Sequence, residues 1–363
     1  MSEKKQYNYG LALLKIFSMM GIVILHTLNN GGVYHFARVP SVLKVSCQFL
    51  ILPLACCAVN CFAITTGYLA FHSADRPFSI KRWLGLWLEV VFYGVGLNIA
   101  AHFIIGTKLD ILTNLMPVSN SCYWYFTAYT ALTILTPLLR KIAVAVSEQT
   151  AKKMLVVMVV LLPLYTFFVP TNGQDADIIT DPTKGQDADI FTFVEGYNAI
   201  WLIYLYICGI LIAKTGAFDK VKSMWIVLAA VLGIVLSGTN DDFYYTYMPV
   251  ILTSFALFLL FKRLPIKGGK GIKLLSDHSF AVYLVNTQRD WFKWYYNKFK
   301  FIVDRSPLFS VSFILGYAVV FFMAAALFDI LRGLLFRVLR IDTLCAKVSD
   351  LAKKAVTKAA SFI

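Results

Sequence analysis

Long apolar runs separated by short polar links dominate this chain. With about 20 apolar residues per bilayer crossing, the pattern predicts ten membrane helices, starting at roughly residues 10, 43, 83, 122, 154, 197, 223, 244, 274 and 307. The links alternate in character. Basic ones carry Arg76, Lys81 and Arg82; Arg140, Lys141, Lys152 and Lys153; Lys214, Lys220 and Lys222; and the run "KRLPIKGGKGIK". The links between them are neutral or acidic, most clearly residues 171–195, "TNGQDADIITDPTKGQDADIFTFVE". Positive charge concentrates on the cytoplasmic side of a membrane. The expected fold is therefore an all-α polytopic bundle of about ten transmembrane helices with both termini cytoplasmic.

One link breaks the alternation: "RDWFKWYYNKFKFIVDRS" is basic where an outward link is due. An aromatic and basic helix lying on lipid headgroups reconciles it. The hexapeptide "GQDADI", repeated at Gly173 and Gly185, lacks the spacing of a calcium loop and reads as a duplicated solvated segment. Residues 344–363 alternate Lys with Ala, Val and Leu at helical spacing, which suits an amphipathic helix on the cytoplasmic membrane face.

Composition agrees with lipid as the main solvent. Hydrophobic residues make up 59% of the 363, charged residues only 15%, and the mean hydropathy is +0.69. A soluble globular domain is excluded, and a multi-pass protein of the plasma membrane is expected. The net charge of +14 sits in clusters between apolar runs, so it sets orientation and does not signal nucleic acid. Seven cysteines, an odd number, show no zinc-ligand spacing and read as small core residues. The polar start "MSEKKQYNYG" leads into an apolar segment with no small-residue cleavage site, the pattern of a retained first span.

Within that first span, "LLKIFSMMGIVILH" keeps Lys15 and His26 at the ends of ten uncharged residues. Eleven positions are close to three helical turns, so both project from one face, about 16 Å apart along the axis. An ionisable group inside a span is costly and points to function, although Lys15 also lies near enough to the cytoplasmic end to snorkel. A permanent cation at Lys15 suits a phosphorylated donor. His26, nearer the outer side, suits removal of a proton from a hydroxyl near neutral pH.

These residues and several collinear segments resemble the membrane-bound acyltransferase-3 family. Its first helix carries Arg or Lys, ten residues, then His, and "NYGLALLKIFSMM", "AITTGYLAF", "CYWYFTAYTALTILTPLL", "GYNAIWLIYLYICGILIAKTG", "SFAVYLV" and "FDILRGLLF" follow its order. The resemblance implies transfer of an acyl group, usually acetyl from acetyl-CoA, onto hydroxyls of extracytoplasmic or lipid-linked carbohydrate. Lys15 would then face the donor and His26 would catalyse. Departures are visible: Ala12 stands where an acidic residue is usual, Tyr7 where an arginine is common, and Asn286 where a second histidine often follows "YL". Before the third helix only the adjacent pair Lys81 and Arg82 is present.

On this reading residues 1–343 form a transmembrane acyltransferase domain and 344–363 a cytoplasmic tail. Lys15, Lys81 and Arg82 would bind acetyl-CoA. Tyr123, Trp124, Tyr125 and Asn286 would contact the glycan acceptor, with membrane lipids around and no metal. The three aromatics equally suit an interfacial belt. A non-enzymatic exporter of a small polar metabolite, and a degenerate acyl-CoA-binding relative, are the alternatives. No G-x-S-x-G elbow or H-E-x-x-H zinc motif occurs, and "KGGKGIK" lacks the Walker spacing. His35, His72, His102 and His278, without neighbouring partners in sequence, read as loop or interfacial histidines.

Overall fold

The computed structural model describes residues 7–37, 41–72, 78–120, 122–161, 164, 196–239 and 244–360. Regular structure among them is helical throughout. The duplicated "GQDADI" segment and Arg76 lie outside the described residues.

Helix α1, Tyr9–Leu28, starts where the Asn8 side chain accepts from the Leu11 amide at 2.9 Å, satisfying one of the open donors of the first turn. It is apolar nearly all round, and two thirds of it is buried, as it is in α2, Val42–His72. A helix with that composition belongs inside a bundle. Helix α2 includes a wider π-helical turn at Cys47–Ile51. Helix α3, Ile80–Ile105, is capped by Ser79 and closed by Gly106 at φ +71°. Helix α4, Trp124–Ala145, carries Pro137 inside it. These two, with the long helix Pro307–Val338 described below, bury only 28% of their apolar windows, so their outer faces are free for lipid.

Next come α5, Glu148–Val156, then α6, Ala199–Thr215, α7, Ser223–Ser237, and α8, Met248–Lys262, the last three apolar but shorter. Helices α2 and α6 pack against each other through glycines. A Cβ at Gly67 would lie 2.0 Å from the Tyr206 carbonyl oxygen, and one at Gly209 would lie 2.2 Å from that of Ile64. In a membrane, where lipid chains are as apolar as leucine, close backbone approach of this kind is a main source of helix association.

The helix predicted from about residue 274 departs from expectation. It is split into α9, Lys270–Asp277, and α10, Ser279–Asn286, with His278 at the joint (φ −102°, ψ 6°). Two side chains oppose continuous helix there. The Ser279 hydroxyl donates to the Ser276 carbonyl at 2.8 Å, and the His278 ring is drawn sideways to Asp329, 2.6 Å away.

The basic aromatic link also differs from a plain surface helix. After the short helix Arg289–Trp294, backbone amides of Asn297 and Phe299 donate to Asn30 and Gly31 at 2.9 and 3.0 Å. The link thus folds over the end of α1. Then α11, Pro307–Val338, opens on a Ser306 cap with proline at its first position. The final helix, α12, Ile341–Ala360, exposes Leu344, Val348 and Leu351 along one side. Six of the seven cysteines are buried, and Cys122 is half-buried.

Among the described residues, five helices, α1 to α4 and α11, are long and apolar enough to cross a membrane. The protein is a membrane-embedded helical bundle.

Candidate active site

The last turn of α1 presents His26. Its Nδ1 lies 2.5 Å from the side-chain oxygen of Asn286, 260 residues away at the end of α10. An amide oxygen accepts, so the arrangement puts the ring hydrogen on Nδ1 and leaves the Nε2 lone pair open. The Phe292 ring meets the imidazole edge-on at 5.0 Å, and the Phe292 carbonyl accepts from Asn30 at 2.7 Å. The histidine is therefore held on two sides.

His26 faces a narrow aromatic pocket. Met19 and Ile22 from α1, Val59 and Phe62 from α2, and Trp124 and Tyr125 from α4 form most of its wall, with Tyr245 and Tyr283 completing it. The cavity is about 20 Å³, room for roughly one water. Its rings brace one another: Trp124 stacks on Tyr245 at 6.2 Å and the Tyr125 amide donates to the Tyr283 hydroxyl at 3.3 Å. Behind the wall the fully buried Asn60 donates to the Tyr245 carbonyl (2.8 Å) and accepts from the Trp201 indole (3.0 Å).

Of the residues singled out from sequence, His26, Trp124 and Tyr125 share this pocket, and Asn286 touches His26 itself. Tyr123 is buried beside it, 6.0 Å from the Tyr283 ring, and its hydroxyl has no hydrogen bond among the described residues. Lys15 lies three turns along α1, partly buried, within electrostatic reach of Asp277. Lys81 and Arg82 sit in the first turn of α3, away from the pocket. Lys81 is ion-paired with Asp342 of α12 at 2.7 Å, and Arg82 is exposed.

Among the polar groups that line or back the pocket, sequence reasoning missed Tyr283, Tyr245 and Asn60. Tyr283 had a usable signal, because three residues before Asn286 place it on the same face of α10. Tyr245 and Asn60 had none, since only packing of distant helices brings them here. It also misread His278. That histidine belongs to a buried polar cluster in which Asp329 accepts from Tyr93 at 2.9 Å and pairs with Arg332 at 2.5 Å. Arg332 reaches Glu89 at 3.5 Å. His278 is thus an internal tie between α10 and α11.

A histidine with one nitrogen anchored and the other facing a cavity can move a proton, the minimum apparatus of acyl transfer to a hydroxyl. The fold is that of a membrane-embedded helical protein with an anchored histidine at a buried pocket. Residues 8–333 match the family described as acyltransferase domain, so the chain belongs to the acyltransferase-3 family and is a membrane acyltransferase. No curated protein and no solved structure matches the chain.

Proposed function

We propose that the protein is an O-acyltransferase of the plasma membrane that carries an acetyl group from cytoplasmic acetyl-CoA to a hydroxyl of an extracytoplasmic or lipid-linked carbohydrate. The observation that carries this reading is the anchored His26 ring, with Nε2 open to an aromatic pocket, in a chain of the acyltransferase-3 family. Nε2 takes the proton from the acceptor hydroxyl as its oxygen attacks the thioester carbonyl. Collapse of the tetrahedral intermediate breaks the carbon–sulfur bond, and the CoA thiolate recovers the proton from the imidazolium. The same nitrogen can instead take the acyl group first, as an acyl-imidazole that the acceptor then attacks. Enzyme labelled by acetyl-CoA without acceptor would separate the second route from the first.

Lys15, about 16 Å along the helix from His26, supports a donor reaching inward from the cytoplasm, its phosphates held by Lys15, Lys81 and Arg82. Lys81 would exchange Asp342 for phosphate at little cost, since an exposed ion pair contributes about 0–1 kcal/mol. Tyr123, Trp124 and Tyr125 offer ring faces to a sugar, and Asn286 fixes the base in addition to any acceptor contact. Ten crossings with cytoplasmic termini would place His26 toward the outer side.

The test is transfer from radiolabelled acetyl-CoA in proteoliposomes with cell-envelope glycans as acceptors. Label should reach glycan with wild type and not with His26→Ala inserted equally well. Turnover retained in His26→Ala would overturn the mechanism.

A further inference from the structure

At the His26 end of the bundle lies a second, larger cavity of about 180 Å³, and its lining is polar. It is built from the same stretches of chain as the histidine pocket. Cys122 lines it one residue before Tyr123 and two before the pocket residue Trp124, and Gln288 lines it two residues after Asn286. The buried Tyr123 hydroxyl stands between the two spaces, unpartnered among the described residues and within electrostatic reach of Cys122, Asp290 and Tyr283.

Charge in this cleft is distributed unevenly. Two carboxylates line it, and both are already engaged. Asp290 accepts from Asn98 at 2.7 Å and from Gln288 at 3.0 Å, and both amides are almost fully buried. Asp110 caps the short helix Ile111–Leu115 through the Thr113 amide. Three cations line it too: Lys108, Arg289 and Lys293. All three are exposed, and none forms an ion pair among the described residues. Each acid thus accepts from neutral amides and forms no ion pair with these cations, although Lys108 and Arg289 lie within electrostatic reach of Asp110.

Resting on the acyltransferase reading above, we propose that this cleft is the acceptor site and that it selects a saccharide or polyol carrying an oxyanion, phosphate or carboxylate, close to the hydroxyl that is acylated. Lys108, Arg289 and Lys293 bind the oxyanion by charge-assisted hydrogen bonds. The Tyr123 hydroxyl supplies a buried hydrogen bond where the acceptor passes from cleft to pocket. Repulsion by the two carboxylates is outweighed by the three cations, which leave the lining one positive charge in excess.

Binding and transfer are measured separately, on full-length protein in neutral-lipid nanodiscs. Fluorescence anisotropy follows three labelled oligomers of equal length: a glycerol-phosphate oligomer, a uronic-acid oligomer and a neutral glucan. Transfer from acetyl-CoA is measured to the same three. The expected result is that one or both anionic oligomers bind at least about tenfold tighter than the glucan, with the phosphate and uronate arms identifying the oxyanion. Arg289→Gln and Lys293→Gln, surface changes that leave the fold intact, should each weaken anionic binding by about five- to tenfold and collapse the anionic-to-neutral transfer ratio. Tyr123→Phe should lower transfer to anionic and neutral oligomers alike.

Transfer to neutral glucan without anionic preference would overturn the cleft proposal and leave the acyltransferase reading standing. Anionic binding that depends on Arg289, without transfer to any oligomer, would uphold the cleft and count against the reading. If the Gln variants alter only association with anionic-lipid nanodiscs, the cations serve headgroups and the proposal falls.

Discussion

A histidine in the last turn of an apolar helix is costly, and the structure shows how this one is accommodated. Asn286, itself buried, fixes one ring nitrogen, and Phe292 closes the other flank. Replacing Asn286 by Ala leaves the ring free to turn. Because a misplacement of about 1 Å can cost about a hundredfold in rate, Asn286→Ala should lower kcat by roughly ten- to a hundredfold with KM for acetyl-CoA little changed, as read in the proteoliposome assay. Lys15→Ala should do the reverse, raising the donor KM with a smaller effect on kcat. Asn60 tests the wall behind the site. Its isosteric change to Leu strands the Trp201 indole and the Tyr245 carbonyl, so stability in detergent should fall by about 1–3 kcal/mol. At this scale the shared face of His26 and Lys15 was legible in the sequence, because it follows from helix geometry alone. It was not legible for Asn60 or Tyr245, whose partners come from other helices.

Between elements, the broken helix α9–α10 is the main departure from hydropathy reasoning. A sliding apolar pattern registers "LLSDHSFAVYLV" as one segment, because the polar interruption is only four residues long. The break depends on Asp329, which lies on α11 and ties His278, Tyr93 and Arg332 together. Removing that carboxylate leaves Arg332 partly uncompensated inside the bundle. Asp329→Ala should therefore cost about 3–5 kcal/mol, measured by thermal unfolding in detergent. His278→Ala should cost less, since it removes one partner and strands no charge. Both changes should loosen α10 and so reduce turnover through Asn286. The contact between α2 and α6 is just as specific. Gly209→Val would push a side chain into the Ile64 backbone, and the protein should fail to accumulate as a monodisperse species on size exclusion.

For the whole molecule, the alternation of basic and acidic links gives a topology that can be checked residue by residue. In a cysteine-free background, single cysteines at Lys153 and Lys267 should react with a membrane-impermeant maleimide only after permeabilisation. One at Lys298 should react in intact cells. The opposite pattern would invert the bundle and put His26 toward the cytoplasm. The tail helix α12 packs against α3 with Cys345 and Ser349 buried, and its exposed Leu344, Val348 and Leu351 are free to meet a membrane surface.

The sequence by itself determined the solvent, the helical class and the two ionisable groups on the first helix. Each of these is a property of composition or of spacing within one segment, and a helix of fixed pitch converts spacing directly into direction. Only the tertiary structure decided what His26 touches, where α9 ends and α10 begins, and that a polar cleft with uncommitted cations adjoins the pocket. Those facts join residues far apart in the chain, 260 positions for His26 and Asn286. Their proximity is set by side-chain packing across several helices, and no periodicity within a single segment encodes it.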